Sequence, residues 1–201
     1  MGKMQGKLIV LDGIDGSGKT TQIELLKRYL ASQGIAWEAI SFPRYGNNKY
    51  TNQIEKYLKG ELEVDPDTIA KAYAGDRMLA KPEIEGWLKS GKLVIANRYT
   101  GANIAHLGID LKEDMPKPDL TILLDVDPKV GQENALEHQK KDIHEQNLKH
   151  LEKAAKIYLE LAKSEPNWVV VDCMKDGQMR TPESIHQEIV KILQGVLLSP
   201  S

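Results

Sequence analysis

Leu8-Ile9-Val10-Leu11-Asp12-Gly13-Ile14-Asp15-Gly16-Ser17-Gly18-Lys19-Thr20-Thr21 is the stretch that decides the fold. Lys7–Leu11 reads as a buried strand, and Ile23, Leu26 and Leu30 recur at helical spacing from Thr20 to about Ala31, with Gly34 as the stop. Between strand and helix, Gly13 to Thr20 matches G-x-x-x-x-G-K-[ST] in full. Glycines at 13, 16 and 18 let backbone N–H groups turn inward around a phosphate, where side chains would obstruct them. The start of the following helix adds partial positive charge. Lys19 is placed to reach the β- and γ-phosphates of ATP, and the Thr20 hydroxyl to ligate Mg²⁺. Gly13, Ile14, Asp15, Gly16, Ser17, Gly18, Lys19, Thr20 and Thr21 are therefore the expected ATP-binding residues. A plain glycine-rich turn is the alternative, and the flanking strand and helix argue against it.

Working outward, four more apolar stretches read as strands: Ala36–Phe42, Leu93–Ala96, Leu120–Asp125 and Trp168–Asp172. Most are continuous apolar runs, as strands covered on both faces require. Alternation with helix-like segments predicts a three-layer α/β/α domain over residues 1–201 with a five-stranded parallel sheet. Ligands then sit at the carboxyl ends of the strands. Between Gln132 and Lys149 the chain turns very polar, which fits either a solvated helix pair or a mobile flap, with a flexible lid expected at about 137–149.

Composition narrows the partners. The net charge of −2 on 201 residues gives no general attraction to nucleic acid or membrane, so phosphate binding must come from placed residues. No apolar run approaches spanning length, and neither a signal peptide nor a membrane helix is expected. The lone Cys173 allows no internal disulfide and no Cys-based metal site, pointing to a reduced, cytoplasmic setting. His138, His144 and His150 lack the i, i+4 spacing of a helical metal pair and read as surface residues.

A GTPase would need Asn-Lys-x-Asp, and Asn48-Lys49-Tyr50-Thr51 lacks the Asp. Small metabolite kinases remain, and the chain resembles thymidylate kinases. Five segments carry the resemblance in order over roughly residues 7–172: Asp12 to Thr21; Phe42-Pro43-Arg44-Tyr45-Gly46; Tyr73-Ala74-Gly75-Asp76-Arg77; Asn97-Arg98-Tyr99-Thr100-Gly101-Ala102-Asn103; and Pro116-Lys117-Pro118-Asp119-Leu120 with Leu124-Asp125-Val126. The resemblance implies Mg²⁺-assisted transfer of the γ-phosphoryl group of ATP to dTMP, in a homodimer.

Phe42, Arg44 and Tyr45 follow a strand at the ligand edge, where an Arg and a Tyr can bond an anion; the resemblance implies the phosphate of the monophosphate. Tyr73 and Arg77 share one helix face, with Gly75 allowing close approach. The resemblance implies that they stack on and bond the thymine ring, while a core Tyr73 and a salt-bridged Arg77 are the structural alternative. Arg98 ends the third strand, where a charge cannot be core, and is the expected cation between donor and acceptor phosphates. Lys19, Arg98 and Arg44 form the expected catalytic set. By resemblance, Asp15 accepts from the deoxyribose 3′-hydroxyl and Asn103 bonds the pyrimidine edge.

Three departures from the family pattern bear on chemistry. Asn97 stands where most members have Asp, keeping an acceptor oxygen for Mg²⁺ but losing its charge. His106 replaces an aromatic that screens the 2′-hydroxyl. Gly16 replaces Arg in the loop, and the polar lid segment offers only Lys140 and Lys141 in compensation. These departures keep two rivals open: a kinase for another pyrimidine nucleotide or deoxynucleoside, and a catalytically impaired nucleotide sensor.

Overall fold

The structure, a computed structural model, describes residues 6–138 and 148–198. Five parallel strands form the central sheet: β1 (Lys7–Asp12), β2 (Trp37–Ser41), β3 (Leu93–Asn97), β4 (Leu120–Asp125) and β5 (Trp168–Asp172), in the order β2-β3-β1-β4-β5. The five strands expected from the sequence are all present, with ends shifted by a residue or so. Helices α1 (Lys19–Ser32), α2 (Lys49–Leu58), α3 (Pro66–Lys89), α4 (Thr100–Leu107), α5 (Pro128–His138), α6 (Leu148–Ser164) and α7 (Pro182–Leu198) complete the α/β architecture. A two-residue-per-strand hairpin, β6 (Met174–Lys175) with β7 (Gln178–Met179), was not expected. Its strands are too short to show a period.

Alternation along β1 explains why an unbroken apolar run was needed. Ile9 and Leu11 pack into the larger core beside Leu26, Leu30, Ile122 and Leu193. Leu8 and Val10 face the opposite core of Ile40, Ala80, Ile84 and Val94. Both faces are buried, each side chain of this size contributing about 1.5–3 kcal/mol.

Local signals set the helices that carry the site. Asp65 caps α3 by accepting from the Thr68 N–H at 2.9 Å, with Pro66 in the first turn. Asn48 caps α2 in a reciprocal box with Thr51. The register aligns Leu11 with Asn97 and Asp12 with Leu123, so β1, β3 and β4 end together at one edge.

Among the apolar positions of the Ile69–Leu79 stretch, Ile69 and Ala72 join a third core with Ile54, whereas Met78 and Leu79 are 40% and 54% exposed. The lid segment lies for the most part outside the described residues, Lys140 and Lys141 with it.

Candidate active site

A cleft of about 890 Å³ runs along that edge, near the top of the roughly 300–1,000 Å³ range of single-ligand sites. Asp15, Gly16, Gly18, Lys19, Thr20 and Thr21 form its floor.

The floor is built by the turn from β1 into α1. Gly18 precedes the helix at φ 88°, a left-handed conformation that glycine adopts at least cost, and no side chain caps the first turn of α1. The helix N-terminus is therefore left to an anion. Lys19 is buried, its ammonium donating to the carbonyls of Gly13 (2.9 Å) and Ile14 (2.7 Å) and to Ser17 Oγ (3.4 Å). Burial, followed by the nearby Arg98 charge, pushes Lys19 down to about 7; an anionic phosphate within reach favours the charged form.

Arg98 stands just past β3 with φ 61°, which is left-handed and costs a non-glycine residue on the order of 1 kcal/mol. Neighbours hold it there. Its N–H donates to the Leu11 carbonyl at 3.0 Å, Nη2 pairs with the Asp15 carboxylate, and Nη1 lies 2.9 Å from His106 Nε2. Arg98 thus links the phosphate loop to α4.

Phe42, Pro43, Tyr45, Leu58, Tyr73, Arg77, Ala102, His106 and Leu107 wall the far end. Arg77 is 1% exposed, and its Nε and Nη2 grip both oxygens of Glu113 at 2.7 and 2.6 Å. Arg77 therefore both lines the cleft and is salt-bridged, combining the two sequence readings. Gly75 does allow a close approach, but by Tyr50 of α2, whose ring carbons would lie 2.7 Å from a Cβ there.

Arg44 and Asn103 sit differently from the expectation. Arg44 is clasped by Asp76, which accepts from its Nε at 2.9 Å and from its backbone N–H at 2.8 Å, while Pro43 and Tyr45 on either side line the cleft. Asn103 is buried and donates to the Ala70 carbonyl at 3.1 Å, because a buried amide needs an acceptor. From α4, the cleft takes Ala102, His106 and Leu107 instead.

Thr20 and Asn97 both line the cleft and offer oxygen donors of the kind Mg²⁺ takes. Asn97 Oδ1 is buried without a hydrogen-bond partner among the described residues, as fits an atom reserved for a further ligand.

Several residues were missed from the sequence. Asp12 is fully buried at the end of β1, bonded through Oδ1 to the Tyr158 hydroxyl at 2.7 Å, and burial raises its carboxyl above the ordinary range. A charge closing an apolar strand was the signal available. Near the phosphate loop, Asn134, Met179, Arg180, Pro182 and Ile185 line the cleft, and Asn134 donates to the Gly16 carbonyl at 3.2 Å. His150, expected at the surface, is half-buried against the His106 ring, 5.4 Å between centroids.

The family model for thymidylate kinase matches residues 11–189. A thymidylate kinase of Fervidobacterium nodosum is 29% identical over 202 residues, covering 94% of this chain and 99% of that one. A probable thymidylate kinase of Methanocaldococcus jannaschii is 35% identical over 198 residues, covering 94% and 96%. Among solved structures, a thymidylate kinase from Candida albicans superposes with a TM-score of 0.81 at 21% identity, covering 95% of this chain and 92% of that one.

Proposed function

Because the chain belongs to the thymidylate kinase family, we propose that its cleft works as a two-nucleotide site in which the phosphate loop holds the donor and the far wall holds the acceptor. The enzyme is a nucleoside monophosphate kinase that transfers the γ-phosphoryl group of ATP to dTMP, yielding ADP and dTDP. Nothing in the comparisons favours a deoxynucleoside kinase or an impaired sensor.

In the proposed mechanism the loop amides and Lys19 cradle the donor phosphates, and a dTMP phosphate oxygen attacks the γ-phosphorus in line. Arg98 neutralises charge as the phosphoryl group passes. Tyr73 stacks on the thymine, Arg77 offers the donors left over from Glu113, and Asp15 faces the deoxyribose. Arg44, held by Asp76, orients the acceptor phosphate from behind Pro43 and Tyr45. Thr20 and Asn97 would hold Mg²⁺, which when bound supplies charge neutralisation across the transferred phosphates. The observation that carries this reading is Arg98, fastened at once to Asp15 of the donor loop and His106 of the acceptor wall.

The exposed Met78 and Leu79 on α3 support self-association, and a homodimer in the cytoplasm, built from one kinase domain per chain, is part of the same proposal. No helix among the described residues is long and apolar enough to cross a membrane.

A substrate panel tests the acceptor assignment. ADP formation and thermal shift are measured with dTMP, dUMP, UMP, CMP and thymidine, since a ligand stabilises what it binds. The largest shift and the fastest turnover are expected with dTMP, and preference for another acceptor would overturn the assignment.

A further inference from the structure

The Arg98–His106 contact continues into a second nitrogen contact that the phosphoryl-transfer reading does not use. Arg98 Nη1 lies 2.9 Å from His106 Nε2, and His106 Nδ1 lies 3.2 Å from Nε2 of His150 on α6. A guanidinium nitrogen only donates, so His106 Nε2 must be an unprotonated acceptor. Burial pushes His106 well below the ordinary histidine range, with the Arg98 charge second, so the ring is neutral. Its single proton is then on Nδ1 and is donated to His150 Nε2. The other tautomer would turn N–H against N–H at Arg98.

We propose that His150 is a positioning residue for Arg98: by accepting the His106 Nδ1 proton it fixes the tautomer whose Nε2 holds the guanidinium, and so ties the aim of that cation to helix α6. The inference rests on the assignment of Arg98 as the cation between the phosphates. Among the described residues Arg98 has three anchors: the Leu11 carbonyl on its backbone, Asp15 on one nitrogen of the fork and His106 on another. In the proposed mechanism Asp15 also serves the sugar, whereas the histidine side leads to His150, which does not line the cleft. His106 packs in a T-shaped contact with the Tyr158 ring, 5.7 Å between centroids, and Tyr158 belongs to α6 as well. The ring's position comes from packing, and its proton's position comes from Arg98 at one nitrogen and His150 at the other.

Ring nitrogen-15 shifts of the full-length protein report the tautomer directly. In the wild-type chain His106 is expected with its proton on Nδ1, and a proton on Nε2 overturns the proposal whatever the variants do. His150→Phe keeps the ring volume but removes the acceptor. With only Arg98 left to hold the tautomer, it is expected to shift the His106 ring toward a mixture of the two tautomers and to lower kcat about 10- to 100-fold, the scale of a misplaced catalytic group, with KM for ATP little changed. His150→Gln returns an acceptor oxygen near the Nε2 position and is expected to restore both tautomer and kcat. Unchanged His106 shifts in His150→Phe, or changed shifts with wild-type kcat, overturn the proposal. Should Arg98→Ala turn over like wild type, the catalytic reading of Arg98 falls while the tautomer result stands, so the two failures are separable.

Discussion

The carbonyl of Gly131, near the start of α5, occupies the space that a Cβ on Gly16 of the phosphate loop would need. The contact is mutual, since a Cβ on Gly131 would stand 2.8 Å from the Asp15 carbonyl. Gly16 also has φ 72°, where an L side chain is strained. Backbone against backbone leaves no room for a side chain at position 16.

Gly16→Ala is therefore expected to separate α5 from the loop. The left-handed backbone alone costs about 1 kcal/mol, and displacing a carbonyl costs more, so Tm should fall by at least about 4 °C at roughly 2–4 °C per kcal/mol for a chain of this size. ATP affinity measured by calorimetry should fall at least about tenfold, because the loop amides lose their aim. A variant with wild-type Tm would mean that the two segments are not in contact.

Arg98→Ala removes the cation but leaves the loop amides and Lys19 in place. Turnover is expected to fall about 10²- to 10³-fold, the usual cost of losing one preorganised charge-stabilising group. ATP affinity should stay within about threefold of wild type. Steady-state kinetics with dTMP and calorimetry with ATP separate the two effects, and comparable turnover would remove Arg98 from the mechanism.

The parallel sheet and the phosphate loop were legible because both are local: apolar runs of strand length, and a spacing of glycines that only one turn satisfies. Arg98 and Asp15 were legible as members of one cleft because strand ends and the first turns after them converge on one edge, whereas Tyr73, inside α3, was placed there by the family resemblance. Asn103 was not, because its partner, Ala70, lies on α3, and nothing in the local pattern gives the rotation of α4 about its own axis. For the same reason His150 was read as a surface residue and Glu113 passed unnoticed. Each meets its partner from a distant segment, and the burial that makes the pairing matter is a property of packing. The β6–β7 hairpin escaped because two residues per strand show no period.

Asn97→Asp tests the departure at the end of β3. The Asn97 Oδ1 atom is buried and has no hydrogen-bond partner among the described residues, and a carboxylate there would add the charge that Mg²⁺ sites commonly use. The Mg²⁺ concentration for half-maximal ADP formation should fall several-fold, and Mn²⁺ binding followed by paramagnetic resonance should tighten in parallel. An unchanged Mg²⁺ requirement would mean that position 97 does not serve the ion.

Arg77 and Glu113 form a buried pair, 1% and 5% exposed at their side chains, joined at 2.6 Å. Removing one partner strands a charge, so Glu113→Ala should cost about 3–5 kcal/mol, lowering Tm by roughly 6–20 °C. That result alone does not show whether Arg77 also reads the base. Replacing both members with apolar residues of similar size is often nearly neutral, so Arg77→Met with Glu113→Leu should recover most of the lost Tm. If the cleft face of Arg77 serves thymine, the same double variant should still show KM for dTMP raised about tenfold or more, the cost of about one missing hydrogen bond to a charged group. KM for ATP should stay near wild type. Recovery of Tm together with a wild-type KM for dTMP would make the pair a structural strut and leave base recognition to Tyr73.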